Sequence, residues 1–577
     1  MTVAITGIGL VCPAGIGLAA SLARLAVGPL APRRPEGPEG DALPDPPILT
    51  VPEAFDPRPL LKRRKDRKLM ARANELAVGA AHAAAAAAGL LDALDAAGLY
   101  LGVGREPGNL DDILPVLAHS HTDGRFDAGR LVAEGMGQMN PLSSLKTLPN
   151  MSLAHVAINL GIHGPGQALT DDAGAGTRAL LEAATAVAEG LVDVALAGGA
   201  DARTAFTDRS TALRLGQTGP LGEAAAVFVL ERADRARARG ARILGFVGAA
   251  DDQTPAPASH LGDCGAATDV AALALALGAG QAAAAGGVQV SPARAPALHL
   301  RRSSEPVAIT GIGGVTPLGH DFERFTARLL AGESAVAPIR GFDAPGFPVR
   351  LACEVVDAPP LPDQLAAAFA GLDDRKGELA AGAALAAVAD HGGLPAGAGL
   401  IYATGLSSVS VAEIDQDSLP FLKENGEFDY AAFAAAPPAP RPQAPARHLV
   451  SRPADLIAAY FGLRPRAQHF SACAAGAAAI AHAAELIRRG EAEVMLAGGA
   501  DSMVHPFGLL PFILLGATTT EADPRRAGRP FEADRDGFVM GEGAPSSSWS
   551  PSPAPAPPGG RCMAWCSAPA APATPGT

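Results

Sequence analysis

An α/β fold made of two related modules in tandem is predicted by two internal repeats and by the order of elements they enclose. Residues 167–201 and 467–501 align without a gap at an offset of 300, and VAITGIGLVCPAG at 3–15 recurs as VAITGIGGVTPLG at 307–319. Between these anchors both halves alternate short apolar runs, closed by glycine turns, with Ala-rich helical runs. That alternation predicts a mainly parallel sheet covered on both faces.

Each module opens on a buried strand that ends in a Gly-rich turn, at 3–15 and 307–319. Pro-rich surface stretches follow at 31–60 and 338–364, then Ala-rich helices at 70–89 and 376–390. A strand with a glycine turn comes next, Tyr100–Gly104 and Ile401–Gly405. A strand-to-helix segment around positions 173 and 473 and a strand reading VALAGG or VMLAGG complete each set. The modules are assigned to 1–288 and 307–544, with 289–306 as a linker and 434–450 as a Pro-rich loop. Residues 545–577 are nearly all Pro, Ala, Ser and Gly without period, and are expected to form a disordered tail. Regrouping the implied codons of a GC-rich gene by one base permits an apolar strand, a basic helix and another strand there. A one-base frameshift is therefore inferred for the tail, the alternative being a genuine disordered tail.

A length of 577 residues, 48% hydrophobic and 18% charged, suits a chain with large cores and many turns. A net charge of -13 argues against nucleic-acid binding, which needs clustered Lys and Arg. The six cysteines follow no disulfide framework, so a reducing cytoplasm is expected. The N-terminus lacks the basic segment of a signal peptide, and Ala-rich runs such as 78–89 are too short to span a membrane. Cys562 and Cys566 lack further ligands, so no metal site is expected.

Chemistry is carried by Phe470-Ser471-Ala472-Cys473-Ala474-Ala475-Gly476. Small residues permit a sharp turn from strand to helix, which sets Cys473 near unpaired N–H groups that favour a thiolate and face a developing oxyanion. The opposing reading is a small buried cysteine whose thiol is raised by its surroundings. At the offset of 300 the first module carries Ala173 in place of Cys473, beside Asp171 and Asp172.

The strings VAITGIGGVTPLG, HFSACAAGAAAI, VMLAGGADSMVHPFG and RPFEADRDGFVMGEGA, with GEAAAVFVLERADRARARGA in the first module, resemble those of the β-ketoacyl-acyl-carrier-protein synthases. These are the condensing enzymes of fatty acid and polyketide synthesis. The resemblance is close over 305–544 and looser over 1–300. It implies a thiolase-like αβαβα layered fold, usually dimeric, with the second module incomplete. It also implies that Cys473 receives an acyl group from acyl carrier protein as a thioester, which a decarboxylated malonyl unit then attacks. The cofactor implied is the phosphopantetheine carried by acyl carrier protein, with none bound directly. The implied partners are acyl carrier protein and a second ketosynthase, as homodimer or heterodimer.

Two histidines that the family uses for condensation, in an H-G-T string and in a G-H followed by G-A-A-G, are missing: none of the 13 histidines lies in H-G-T. His469 is expected to be structural. His260-Leu-Gly-Asp263-Cys264 looks like a worn G-H segment, with Asp263 about where the histidine would stand and nothing placing Cys264 at a helix start. The first module is expected to be non-catalytic and the second to support acylation alone. The alternatives are a partner subunit resembling a chain-length factor, or the inactive product of a disrupted gene. The basic run Lys62–Lys68 is a solvated helix start or a docking patch for an acidic carrier protein. Asp534–Gly537 is expected to be a structural loop, and GIGL and GIGG lack phosphate-loop spacing.

Overall fold

The computed structural model describes residues 2–104, 110–170, 174–250, 254–257, 261–285, 288–292, 306–342, 346–405, 410–436, 444–463, 466–469, 472–551 and 565–566. The first module runs β1 (Val3–Cys12), α1 (Leu18–Val27), α2 (Arg72–Ala88), β2 (Gly98–Val103), α3 (Met151–Leu160), β3 (Gly166–Thr170), α4 (Ala175–Glu189), β4 (Val194–Ala202) and β5 (Leu221–Arg232). It continues through β6 (Gly245–Ala249), α5 (Thr268–Gly278), β7 (Ala283–Ala285) and β8 (Val288–Ser291). The second repeats the order with β9 (Val307–Val315), α6 (Phe322–Leu330), α7 (Arg375–His391), β10 (Gly399–Thr404), α8 (Arg452–Phe461) and β11 (Arg466–His469). It closes with α9 (Ala475–Arg488), β12 (Met495–Ser502), α10 (Pro506–Leu514) and β13 (Met540–Pro551).

The strand order is β3-β2-β4-β5-β1 in the first module and β11-β10-β12-β13-β9 in the second. Only the first three strands of each set are parallel, which corrects the mainly parallel sheet expected. The cause is the short return after β4. Residues 203–220 hold one short helix and re-enter the sheet from the end they left, so β5 pairs antiparallel. Alternate residues of β5 then serve two cores. Ala225, Val227 and Val229 face the α2 side, whereas Ala224, Ala226, Phe228 and Leu230 face α4 and α5. Glycines let the helices approach: a Cβ on Gly176 would meet the Ala266 carbonyl oxygen at 2.6 Å.

Two expected boundaries move. The linker assigned to 289–306 begins inside β8, which pairs with β6 from Phe246↔Ser291 to Ala249↔Val288 and so belongs to the first module. The tail assigned to 545–577 begins inside β13. Its register against β9, Val315↔Ala544 to Val307↔Pro551, mirrors Val11↔Ala225 to Val3↔Arg232, down to the irregularity after Ile5 and Ile309. Backbone pairing on both sides overrides poor strand propensity here. Buried Ser546 and half-buried Ser547 find side-chain partners: Tyr402 Oη lies 2.9 Å from Ser546 Oγ, and Trp549 Nε1 donates to Ser547 Oγ at 2.7 Å. Ser548 Oγ reaches only the Ala387 carbonyl, at 3.4 Å.

The modules join edge to edge. β3 and β11 pair antiparallel at Leu169↔His469, two positions related by the offset of 300. Behind this seam α4 and α9 bury an ionic chain. His469 Nε2 lies 2.7 Å from His482 Nδ1, His482 Nε2 donates to Glu182 Oε1 at 3.0 Å, and Arg489 donates to Glu182 Oε2 at 2.9 Å. Burial opposes ionisation of Glu182, but His482 and Arg489 together hold its carboxyl well below the usual range. Away from the seam, Phe206 packs among Phe428, Tyr430 and Phe433, and Phe126 meets Phe507 at 5.1 Å. No helix among the described residues is long and apolar enough to cross a membrane.

Two expectations follow for stability. Ser548→Val, which installs the residue type of the equivalent fully buried Val229, raises the unfolding free energy by about 1 kcal/mol, read in denaturant unfolding assays. Burial, reinforced by His482 and Arg178 against the pull of Glu182, pushes the His469 imidazole down to about 3 from an ordinary 6.5. Between those values the unfolded chain holds the extra proton, so this group's contribution is lost as pH falls from 6.5 towards 3. His469→Leu, matching Leu169, removes about one proton from the acid-side slope of stability against pH, measured by urea titration.

Candidate functional site

Cys473 stands where strand gives way to helix. β11 ends at His469, and Ala472–Ala474 form one 3-10 turn that leads into α9. Phe470 and Ser471 lie outside the described residues. Ala472 has a φ of 46°, a left-handed conformation that a side chain disfavours, so the bend is sharp and is held by its surroundings. Cys473 is exposed. The first N–H groups of α9 have no intrahelical acceptors, and a negative charge at this turn, on sulfur or on a tetrahedral oxygen, is favoured.

The small residues around the turn are needed for close approach. A Cβ on Gly499 of β12 would lie 3.4 Å from Gly476 Cα and 3.3 Å from the Ala403 carbonyl oxygen. The strand ends of β10, β11 and β12 therefore deliver Cys473 to the carboxyl edge of the three parallel strands, where open α/β sheets place their chemistry.

The two modules differ most above this turn. Ala173, Asp171 and Asp172 lie outside the described residues, but β3 and α4 flank them as β11 and α9 flank Cys473. Across the mouth of α4 runs Cys264–Thr268. A Cβ on Gly176 or on Gly199 would strike the Ala266 carbonyl oxygen, whereas one on Gly476 would meet no described residue within 4 Å. The segment is tied down at three points. Ala266 N–H donates to Asp201 Oδ2 at 3.0 Å, Gly265 N–H to Asp263 Oδ1 at 2.9 Å, and Cys264 N–H to Thr268 Oγ1 at 2.9 Å. Asp263, standing in for a histidine, is ion-paired with Arg203.

Cys264 does precede a helix start, which corrects the expectation: Gly265–Ala267 form a 3-10 turn running into α5. The signal was hidden because no capping residue or periodic pattern marks it. It gains no reactivity from that position. The side chain is fully buried, Sγ lies 3.4 Å from the Leu261 carbonyl, and burial with the nearby acidic groups pushes the thiol far up. Burial likewise raises the Asp201 carboxyl to about 7, against Arg203 and the Ala266 N–H, and raises Asp501 against Lys376.

The histidines near Cys473 are engaged in structure. His469 and His482 belong to the seam. His505 caps α10, its Nδ1 accepting the Gly508 N–H at 3.2 Å, and burial pushes its imidazole down to about 4. A cleft does open above the first module, between Val103, Thr170, Asp201 and Arg203 and the second module's Leu449–Ser451. It lies over the module that carries Ala173 in place of Cys473, so the candidate chemistry stays with Cys473. In the basic run, Asp66 is buried against Arg63 at 3.0 Å and Arg67 pairs with Glu75 at 2.6 Å, while Lys62, Arg64, Lys65 and Lys68 remain exposed. Asp536 accepts the Thr519 hydroxyl at 2.7 Å and so anchors its loop. Cys562 and the side chain of Cys566 lie outside the described residues.

Comparisons agree with this geometry. The family model "Beta-ketoacyl synthase, N-terminal domain" matches residues 1–236 and 441–545. A chloroplastic 3-oxoacyl-[acyl-carrier-protein] synthase I of Hordeum vulgare is 35% identical over 262 residues, 42% of this chain and 53% of the relative. A 3-oxoacyl-[acyl-carrier-protein] synthase 2 of Rhizobium meliloti is 34% identical over 254 residues, 41% and 57% of the two chains. A putative polyketide beta-ketoacyl synthase 1 of Streptomyces cyaneus is 34% identical over 243 residues, 41% and 56%. The chain thus spans about half the length of the curated relatives it matches. Among solved structures, the PfaC keto synthase-chain length factor superposes with a TM-score of 0.70 at 13% identity, covering 96% of this chain and 78% of that one. That likeness extends the shared thiolase-like fold across both modules. By sequence and by fold, the chain belongs to the β-ketoacyl synthase family.

Proposed function

We propose that the second module accepts an acyl group at Cys473 as a thioester, delivered on the phosphopantetheine of acyl carrier protein, and that the first module is its non-catalytic partner. The observation that carries this reading is the contrast at the two helix starts. A cysteine stands exposed in one module, with no described residue over the glycine of its helix start, while Ala266 covers the other. The relatives' names support the substrate class, since they are 3-oxoacyl-[acyl-carrier-protein] synthases and a polyketide synthase. In the step, the Cys473 thiolate attacks the acyl carbonyl carbon. A new carbon–sulfur bond forms, the bond to phosphopantetheine breaks, and the carrier thiolate leaves to take up a proton from water.

The parental reaction then continues with decarboxylation of a malonyl thioester and attack of the resulting enolate on the acyl-enzyme. His482 and His505, the two histidines that follow Cys473, are both held in structural hydrogen bonds. Acylation is therefore the half-reaction proposed for these residues, in a reducing cytoplasm that keeps the thiol free. The exposed Lys62, Arg64, Lys65 and Lys68 offer an acidic carrier protein a complementary surface. The expected result is a single acyl adduct on Cys473 by intact and peptide mass spectrometry after incubation with acyl-acyl carrier protein. Cys473→Ala should abolish it, and added malonyl-acyl carrier protein should release no ketoacyl product. Absence of the adduct, with stable binding to a separate synthase, would instead assign the chain a partner role.

A further inference from the structure

Four buried side chains at the seam occupy two pairs of equivalent positions. Glu182 and His482 share one position of the repeat, and Glu189 and Arg489 share another. In a symmetric pairing of identical modules, positions on the two-fold axis meet their own copies. Here each carboxylate meets a basic side chain of the other module. Glu182 is 3.0 Å from His482 and 2.9 Å from Arg489, and Arg489 is 3.9 Å from Glu189. All four are shielded from solvent.

We propose that these opposed charges make the two modules obligate partners within one chain and exclude the pairing of either module with its own kind. Shape does not discriminate. The helices carry Ala179, Ala183 and Ala184 in the first module against Ala479, Ala483 and Ala484 in the second, all fully or nearly fully buried. Two first modules set face to face would bury Glu182 and Glu189 against the same two carboxylates. Two second modules would take Glu182 and Glu189 away from His482 and Arg489, leaving Arg489 only Glu485 at 3.4 Å and Glu491 at 3.9 Å in its own module. Each wrong pairing thus removes acid–base contacts that the apolar walls of the seam cannot replace. The pairing is independent of whether Cys473 carries an acyl group.

A charge exchange in the full-length chain tests this. Glu182→His places imidazole against imidazole, His482→Glu places carboxylate against carboxylate, and the double variant restores opposites with Arg489 and His469 still in reach. Each single variant should lower the thermal midpoint and add species heavier than one chain in sedimentation velocity. The double variant should recover most of both losses, a coupling that independent packing defects do not show. Single variants indistinguishable from the parent would overturn the proposal, as would losses that simply add in the double variant. If neither single variant folds, a folded monomeric double variant supports it, and failure of all three overturns it. A parent chain that sediments as a stable dimer overturns the single-chain pairing.

Discussion

The structure depends on two edge strands closing each other. Gly166–Thr170 and Arg466–His469 are the outermost strands of their modules, and each alone would present unpaired backbone groups to solvent. Their antiparallel pairing at Leu169↔His469 removes both liabilities and makes one sheet continuous across the chain. The same pairing fixes where α4 and α9 meet, since each helix follows its edge strand after one short turn. The start of α9, and so the position of Cys473, is thereby set from the far side by the first module. A module that has lost its nucleophile still has this structural task.

That division of labour explains why the first module remains so well packed. Its sheet carries three further strands, β6, β8 and β7, and α1 lies against this side through Leu18, Leu22 and Leu25. In the second module the matching helix α6 has no buried residue and exposes Leu329 and Leu330. The better-covered module supports the sheet, and the less-covered one carries the accessible thiol. Strength and access are separated between two copies of one plan.

Much of this was legible in the chain itself. The ungapped offset of 300 located both edge strands and both central helices, and glycine and alanine runs marked the tight bend at Cys473. Contacts between the copies were not legible. An alignment sets Glu182 over His482, but that they touch depends on a pseudo-two-fold axis passing between them. The strand through Pro545–Pro551 was missed because its hydroxyl-rich run has the composition of a tail, and only pairing on both sides makes it a strand. The helix start at Cys264 was missed for a different reason: the turn is held jointly by the distant Asp201 and by the local Asp263 and Thr268, and the tertiary contact has no mark in the sequence.

The Asp201–Ala266 contact gives the asymmetry its physical logic. Both modules keep an aspartate after the Gly-Gly-Ala run, buried at 201 and reached by solvent at 501, and in both it accepts the next backbone N–H, Ala202 in one and Ser502 in the other. Burial makes the Asp201 carboxylate costly, so a second donor offsets part of that cost. In the first module that donor is Ala266, and the segment which brings it also covers the helix start beneath. Satisfying the aspartate and admitting a substrate are therefore competing uses of the same space. With an alanine at position 173, nothing is lost by filling it. With a cysteine at 473 that use of the space is not made, and Asp501 is reached by solvent instead of by a second backbone donor.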